Sequence, residues 1–453
     1  MQPITFTSVA PAAAARRLGL AGRAQPWWRA AADGERHLAI IRAVFVVFAC
    51  TLPFEALNLG QWSRIDTFEG ESSFVSLPKI AGYAFFLVTL LDPRRCYARI
   101  PAALYCFGAY LAFYTVAGLL GEYPGVVLSR SVRTLQMLVL LYAGCNLLAD
   151  ARTRAAVVLA LALSCTAFCL LEFSGVLGQA MIQTTADGEM ERVTGLAEDA
   201  NTVADILALG LLSVMALATG GIRAPRGVAA CAWLAAPALT LAIVRTGSRG
   251  GMLALGAGLL AFIVGERTPG KMLRNLLLAA VAAACLAVCL LNWESALKRW
   301  EATIYDGNVA GRDQIVDVTW KMIQERPAFG WGPVTSEHVL GAAFGKAVRG
   351  THNLWLALLS EVGCVGALPY VGGVLLCLRA AWRGRGGPAG GLPLTLMVTV
   401  MAANLSVVWD NRKLYWLVLA LSLASDAGRA RRRPERVARG HGRTGRARRA
   451  AAA

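Results

Sequence analysis

The chain has 453 residues, 56% of them apolar and only 16% charged, with a mean hydropathy of +0.52 and a formal net charge of +17. A soluble protein of this length carries about 25% charge on a surface that has to be wetted, so the composition excludes an ordinary water-soluble globule. The positive excess does not point to nucleic acid either: it is concentrated between Arg429 and Arg449, in a stretch without the interleaved aromatics that stack on bases.

The first 36 residues scatter Arg16, Arg17, Arg23, Arg29 and Arg36 among alanines, with no apolar run before Leu38. That pattern argues against a cleaved signal peptide and reads as a tail, 1–37. Apolar blocks follow at 38–57, 74–91, 101–119, 134–149, 155–177, 201–219, 227–244, 250–265, 272–291, 352–378, 391–409 and 412–425. A helix needs about 20 residues to cross the hydrocarbon, and backbone groups with no water to bond must pair internally. The fold class expected is therefore all-α: a polytopic bundle of about twelve transmembrane helices across 38–425. The basic stretch 426–453 has no apolar periodicity and reads as a disordered tail held near anionic headgroups.

The connections after even-numbered blocks are basic: Arg94/Arg95/Arg99, Arg152/Arg154, Arg223/Arg226, Arg267/Lys271/Arg274 and Arg379/Arg383/Arg385. The odd connections hold most of the acid, including Asp66, Glu69, Glu71, Glu122, Asp187, Glu189, Glu191, Glu198 and Asp199. The positive-inside rule then places the even loops and both termini in the cytoplasm. The eleven cysteines lie mostly inside apolar blocks, as Cys50, Cys106, Cys145, Cys231 and Cys285 do, with no CxxC or Cys/His cluster. Neither a zinc site nor a disulfide framework is indicated. Arg42 and Glu172 fall near block ends, where long charged side chains snorkel.

Residues 292–351 form one connection too long for a linker, and loops of that length usually carry function. Within it, Gly311 to Pro327 has apolar residues at 315, 318, 322 and 323, with Thr319 on the same face. This is the spacing of an amphipathic helix stopped by proline, lying on the membrane or over a site.

The threading collects several polar residues in one layer, at the outer headgroup level. They are Lys79 opening the second block, Arg192 and Asn201 before the sixth, and Arg245 and Arg249 in Arg245-Thr-Gly-Ser-Arg-Gly-Gly251. Arg312 opens the loop helix, and His352 and Asn353 open the tenth block. Arginines on the outer side run against the usual charge bias, and an anionic ligand at that depth accounts for them. Guanidinium forks match phosphate oxygens, and the glycines beside Arg249 let backbone N–H groups approach. Each residue also has a plain reading. The arginines can snorkel, Ser248-Arg-Gly-Gly251 can be a tight turn, the asparagines can cap helices and a lone histidine can be structural. Glu69 and Glu71 do not sit in a DxD-like pair beside a histidine, so no metal site is expected. Spacing alone leaves the function open.

The order of these segments resembles the O-antigen ligase and polymerase family of bacterial envelope enzymes. The similar pieces are Arg192-Val-Thr-Gly…Asn201, Thr246-Gly-Ser-Arg-Gly-Gly251, Gly311-Arg312…Trp320, Glu325-Arg-Pro-Ala-Phe-Gly-Trp-Gly332 and His352-Asn-Leu-Trp-Leu…Glu361-Val-Gly-Cys-Val-Gly366. The resemblance is strongest over about 190–370, and outside it only the span count agrees. It implies a GT-C-like bundle in the bacterial inner membrane with a periplasmic active site. The enzyme would move a glycan from undecaprenyl diphosphate to an acceptor hydroxyl without a divalent metal or other cofactor. The acceptor would be lipid A core for a ligase and another glycan for a polymerase. On the same resemblance Arg192 and Arg249 hold the diphosphate, with Arg245 and Lys79 beside them, His352 acts on the acceptor, and Arg312 and Asn353 belong to the acceptor and loop side. A transporter of lipid-linked sugars, the reading from another class, would show internal repeats and mid-membrane charges; no repeat of the Ser-Arg-Gly-Gly or His-Asn segments occurs in the first half.

Overall fold

A computed structural model of the chain describes residues 27–55, 76–174, 181–184, 191–194, 199–222 and 225–426, with backbone alone for 27–34, 181–184 and 191–194. The basic tail, the first 26 residues and the acids Asp66, Glu69, Glu71, Asp187, Glu189 and Glu198 lie outside the described residues.

The described chain is an all-α membrane bundle. In order the helices are α1 (Trp27–Thr51), α2 (Leu77–Thr89), α3 (Pro93–Cys96), α4 (Ala102–Leu119), α5 (Pro124–Leu147) and α6 (Ala151–Ser174). A short antiparallel pair, β1 (Met181–Thr184) and β2 (Glu191–Thr194), precedes α7 (Ala200–Ala218). Then come α8 (Arg226–Arg245), α9 (Arg249–Val264), α10 (Pro269–Leu291), α11 (Glu294–Tyr305), α12 (Arg312–Glu325), α13 (Thr335–Ala343), α14 (Leu354–Gly384) and α15 (Leu392–Ala403). A last helix, α16, covers 413–426.

Among the described residues eight helical segments are long and apolar enough to cross a bilayer: Glu35–Phe54, α4, α5, α6, α7, α8, α10 and α14. The other four expected spans fall on shorter helices. α2, α9 and α15 have 13, 16 and 12 residues, and the described part of α16 covers 413–426. At 1.5 Å per residue such helices fall short of a hydrocarbon core about 30 Å thick. The expected count of twelve full spans is thus reduced to eight by length. Short helices are tolerated at membrane depth where protein, not lipid, surrounds them, and α15 is buried along most of its length.

The helix at the centre is α7, buried throughout its apolar window, which is why its sequence is apolar all round instead of on one stripe. It packs against α6, α8, α9 and α15. Gly258 lets α9 close on its neighbours, since a Cβ there would lie 2.3 Å from Thr399 Oγ1 and 2.7 Å from Leu212 Cδ1. By contrast α10 is only 11% buried and shows Leu273, Leu277, Val281 and Val288 outward, as a lipid-facing helix does. A second packed region joins α4, α14 and α16 through the rings of Phe107, Tyr370 and Trp416, with centroids 5.1–5.3 Å apart. Arg42 does not merely snorkel: it pairs with Asp150 at 3.6 Å.

The 292–351 connection is folded. Helix α12 forms where the apolar spacing predicts it and buries Ile315, Thr319, Met322 and Ile323. Ile315 and Met322 meet Leu340 of α13 in a small core of their own, joined by Trp331 and Phe344. Arg130 of α5 latches this unit to the bundle by donating to both carboxylate oxygens of Glu337, at 2.8 and 2.9 Å, and Tyr123 stacks on His338 at 4.2 Å.

The turn 327–332 is built into α14. That helix breaks at Gly363 (φ 61°, ψ −171°), which frees carbonyls on one side and amides on the other. Trp331 N donates to Ser360 O (2.8 Å) and Gly332 N to Glu361 O (2.9 Å), while Cys364 N donates to Pro327 O (2.8 Å) and Val365 N to Ala328 O (3.1 Å). Two carbonyls and two amides at the break are so matched from the turn. The Pro-Ala-Phe-Gly-Trp-Gly332 and Glu361-Val-Gly-Cys-Val-Gly366 segments are therefore two halves of one joint.

Candidate active site

The starts of α7, α9 and α14 and the ends of α8 and α15 meet at one end of the bundle, under α11 and α12. The turn from α8 to α9 is fixed from within. Ser248 N donates to Thr246 Oγ1, and Gly251 N donates to Ser248 Oγ at 3.0 Å, which makes Ser248 the N-cap of α9. Ser248 Oγ in turn donates to Asn201 Oδ1 at 2.8 Å. Asn201 is thus no cap; that role on α7 belongs to Asp199, which accepts from Asn201 N.

This turn aims Arg249 at the loop above. Its Nη1 donates to Arg299 O (3.2 Å), to Asn308 O (2.6 Å) and to Thr303 Oγ1, so the 299–308 segment holds the guanidinium in place. Arg312 approaches from α12: its Nη1 would lie 3.9 Å from a Cβ on Gly250, and its charge bears on Arg249. Burial pulls the Arg312 pKa down, and the carboxylates of Asp199 and then Asp205 push it back up. The side chain remains a cation at any physiological pH.

His352 completes the group. It has φ 50°, an unusual value for a residue with a Cβ, and keeps an exposed surface. The protein around the ring pulls its pKa below the ordinary value of about 6.5. Arg312 adds to that depression, Asp199 opposes it, and Arg349 adds a smaller push down. The imidazole is therefore neutral at pH 7. Asn353 caps α14 by accepting from Trp355 N (2.9 Å) and Leu356 N (3.2 Å). Its Nδ2 donates to Leu405 O, and Leu354 N donates to Asn404 O, so the segment is pinned to the end of α15.

Asn201, Arg249, Arg312, His352 and Asn353 are thus brought together. Arg245 is in the same layer but turned away: it lies over Phe173 at 4.9 Å and Trp293 at 5.2 Å, beside Glu172, whose Oε2 is buried. Glu172 is accordingly no snorkelling residue. Lys79 stands exposed at the start of α2, which packs on α1 and α5. Arg192 lies on β2, paired with Gln183, and its side chain is outside the described residues.

One neighbour carried no pattern in the sequence. Asp205, one turn into α7 beyond Asn201, is fully buried, and neither carboxylate oxygen has a hydrogen-bond partner among the described residues. A lone acid in an apolar helix was its only mark. Among the described residues no three His, Cys, Asp or Glu side chains come together in a way that could hold a metal ion.

Residues 231–371 match the family described as O-antigen ligase. No curated protein matches the chain. The matched stretch contains the Ser248–Gly251 turn, Arg312, the 327–332 turn, His352 and the α14 break, and begins after Asn201. An O-antigen ligase family domain therefore occupies residues 231–371 of this multi-pass membrane protein.

Proposed function

We propose that the protein is a glycosyltransferase of the O-antigen ligase kind. It moves a glycan from undecaprenyl diphosphate to an acceptor hydroxyl on lipid A core, at the periplasmic face of the bacterial inner membrane, within a GT-C-like bundle. The observation that carries the reading is the gathering of Arg249, Arg312 and His352 within the matched family domain.

The chemistry follows from charge. As the anomeric carbon–oxygen bond breaks, its electron pair stays on the diphosphate, and fixed cations stabilise that charge without reorganising. Arg249 and Arg312 supply two, and the starts of α7, α9, α12 and α14 add the positive ends of their backbone dipoles. Arg192 joins them on the family resemblance. A metal is not needed for this step. His352 accepts the acceptor's proton as its oxygen attacks, and approach opposite the leaving group inverts the anomeric centre. The lipid-diphosphate bond supplies the free energy, so no nucleotide is consumed. Relative to the sequence expectation, Arg312 moves from the acceptor side to the diphosphate, while Arg245 and Lys79 drop out of the first contact.

The test is genetic. The gene is deleted in its host and complemented with wild type, His352→Ala or Arg249→Ala, and envelope polysaccharides are resolved on gels. Full-length chains that stay on the carrier in the null, and are moved to lipid A core by wild type alone, support the ligase. Single repeats on the core identify a polymerase acting on glycan instead. Donor chains trapped on the cytoplasmic side identify a transporter. Full complementation by both variants overturns the site.

A further inference from the structure

Beside this site lies a second space lined in part by polar groups. A cavity of about 310 Å³ opens between α4, α5, α13, the start of α14 and the α15–α16 connection. That is at the small end of ligand pockets, which are normally walled by apolar side chains. Leu340, Leu354 and Leu358 wall this one too, but so do Arg130, Glu337, Glu361 and Asp410, together with Tyr110, Tyr114, Arg133 and Arg349. Three arginines oppose three carboxylates, so the space carries little net charge but many donors and acceptors. The Arg130–Glu337 pair is already satisfied. Glu361 is different: the described residues give its carboxyl no hydrogen bond, and its charged neighbours are Glu337 and Asp410 as well as Arg130. A carboxylate held inside a bundle without donors asks for them from a ligand. Sugar hydroxyls supply such donors, and the phenol rings of Tyr110 and Tyr114 offer flat apolar surface for a sugar face.

The position is as informative as the lining. Gly350, Thr351 and Leu354 line the cavity, but Arg249, Arg312 and Asn201 do not. The charges of Arg312 and Asp199 bear on His352 within that same segment. His352 itself does not line the cavity but lies in the chain between Thr351 and Leu354, which do. We infer that the cavity between Arg130, Glu361 and Asp410 binds a sugar ring of the acceptor glycan and presents its hydroxyl to His352. The inference rests on the glycan-transfer reading above.

The full-length protein is reconstituted in vesicles with carrier-linked glycan and lipid A core, both extracted from the deletion strain. Wild type, Glu361→Gln and Asp410→Asn are compared, the variants being close in volume to the native residues and checked for an unchanged thermal midpoint. The expected result is an acceptor KM raised about tenfold or more, with the donor KM and kcat within about threefold of wild type. In parallel, saturation-transfer NMR follows core oligosaccharide on detergent-solubilised protein; wild type should bind it and the variants should not. An unchanged acceptor KM in an active enzyme overturns the cavity assignment and leaves the transfer reading intact. A raised donor KM means that the cavity holds the donor's sugar, which also overturns it. If wild type transfers nothing, the transfer reading fails, and the NMR arm alone decides whether the cavity binds sugar. Failure of wild type to bind the oligosaccharide there overturns the inference.

Discussion

Replacing Gly363 by alanine tests whether the break in α14 is built for the 327–332 turn. The residue sits at φ 61°, ψ −171°, a region open essentially to glycine alone, and forcing a Cβ into it costs about 1–3 kcal/mol. The added Cβ would also stand 2.4 Å from both the C and O of Ala328, which is backbone and cannot swing aside. Relief requires the turn to move, and the bonds from Cys364 N and Val365 N to Pro327 O and Ala328 O are the first to be lost. At about 0.5–1.5 kcal/mol each they bring the total to roughly 2–6 kcal/mol. Thermal unfolding in detergent, followed by tryptophan fluorescence, should then show a midpoint lower by roughly 5 °C or more. Gly372→Ala is the control on the same helix, since its Cβ would meet only Cys106 Sγ at an ordinary 3.8 Å. A helical glycine replaced by alanine gains up to about 1 kcal/mol, so this midpoint should hold or rise. Equal midpoints for Gly363→Ala and wild type, or equal losses in the two variants, would refute the joint.

Arg249→Lys should lower transfer almost as far as Arg249→Ala, about tenfold or more, because an ammonium cannot both reach the 299–308 oxygens and fork onto phosphate; a lysine enzyme with wild-type kcat counts against a diphosphate role. His352 should give a kcat/KM profile whose acid limb has its midpoint below about 6.5, since the base works as neutral imidazole and its pKa is depressed. Arg312→Ala should move that midpoint up and Asp199→Asn should move it down. The same depression means that the unfolded chain binds the proton more readily, so the stability linked to His352 is full above about pH 6.5 and falls away below it. Arg130→Ala should destabilise by about 1–3 kcal/mol by leaving Glu337 unpaired, and adding Glu337→Ala should recover part of that in a double-mutant cycle. Asp205→Asn should leave the thermal midpoint unchanged or higher, because the buried carboxyl has no hydrogen bond to lose among the described residues, while transfer falls about tenfold through a misplaced Arg312; a lowered midpoint would show that the carboxyl is structural.

Composition and block length were enough to read the bundle, because hydrocarbon imposes helix on any apolar run of sufficient length. They were not enough to tell a full span from the shorter α2, α9 and α15, whose surroundings depend on tertiary packing. Counted as twelve blocks, alternation sends the starts of α7, α9 and α14 to one end, and Asn201, Ser248 and Arg312 do meet although α9 is too short for a full span. Which polar groups meet there was not legible. Arg245 and Arg249 are four residues apart, yet one is caged by Phe173 and Trp293 and the other is held by Asn308. Helix ends point side chains outward in directions that only the neighbouring elements decide. The Arg130–Glu337 pair spans 207 positions and no local pattern announces it. The two glycine-rich segments of the α14 joint were visible as motifs, but their pairing with each other needed coordinates.

The short segment from Gly350 to Leu354 decides what the two polar spaces can do together. It is held at one end by Asn353 and Leu354, bonded to the carbonyls of Leu405 and Asn404. At the other end Arg349 N donates to Glu337 O, and Glu337 is itself fixed by Arg130. Both anchors run into parts of the bundle that also wall the cavity. The positive φ of His352 is therefore imposed by its neighbours and is not a loose turn, and such strain persists only where surrounding structure over-determines it. A general base has to face the acceptor's proton while the leaving group departs on the far side. On the reading proposed above, a strained residue beside the cationic cluster and the cavity would meet that requirement without any motion of the helices. The contacts that hold His352 out of the ordinary backbone regions reach from Arg130 to Leu405, so its position is set by elements far apart in the chain.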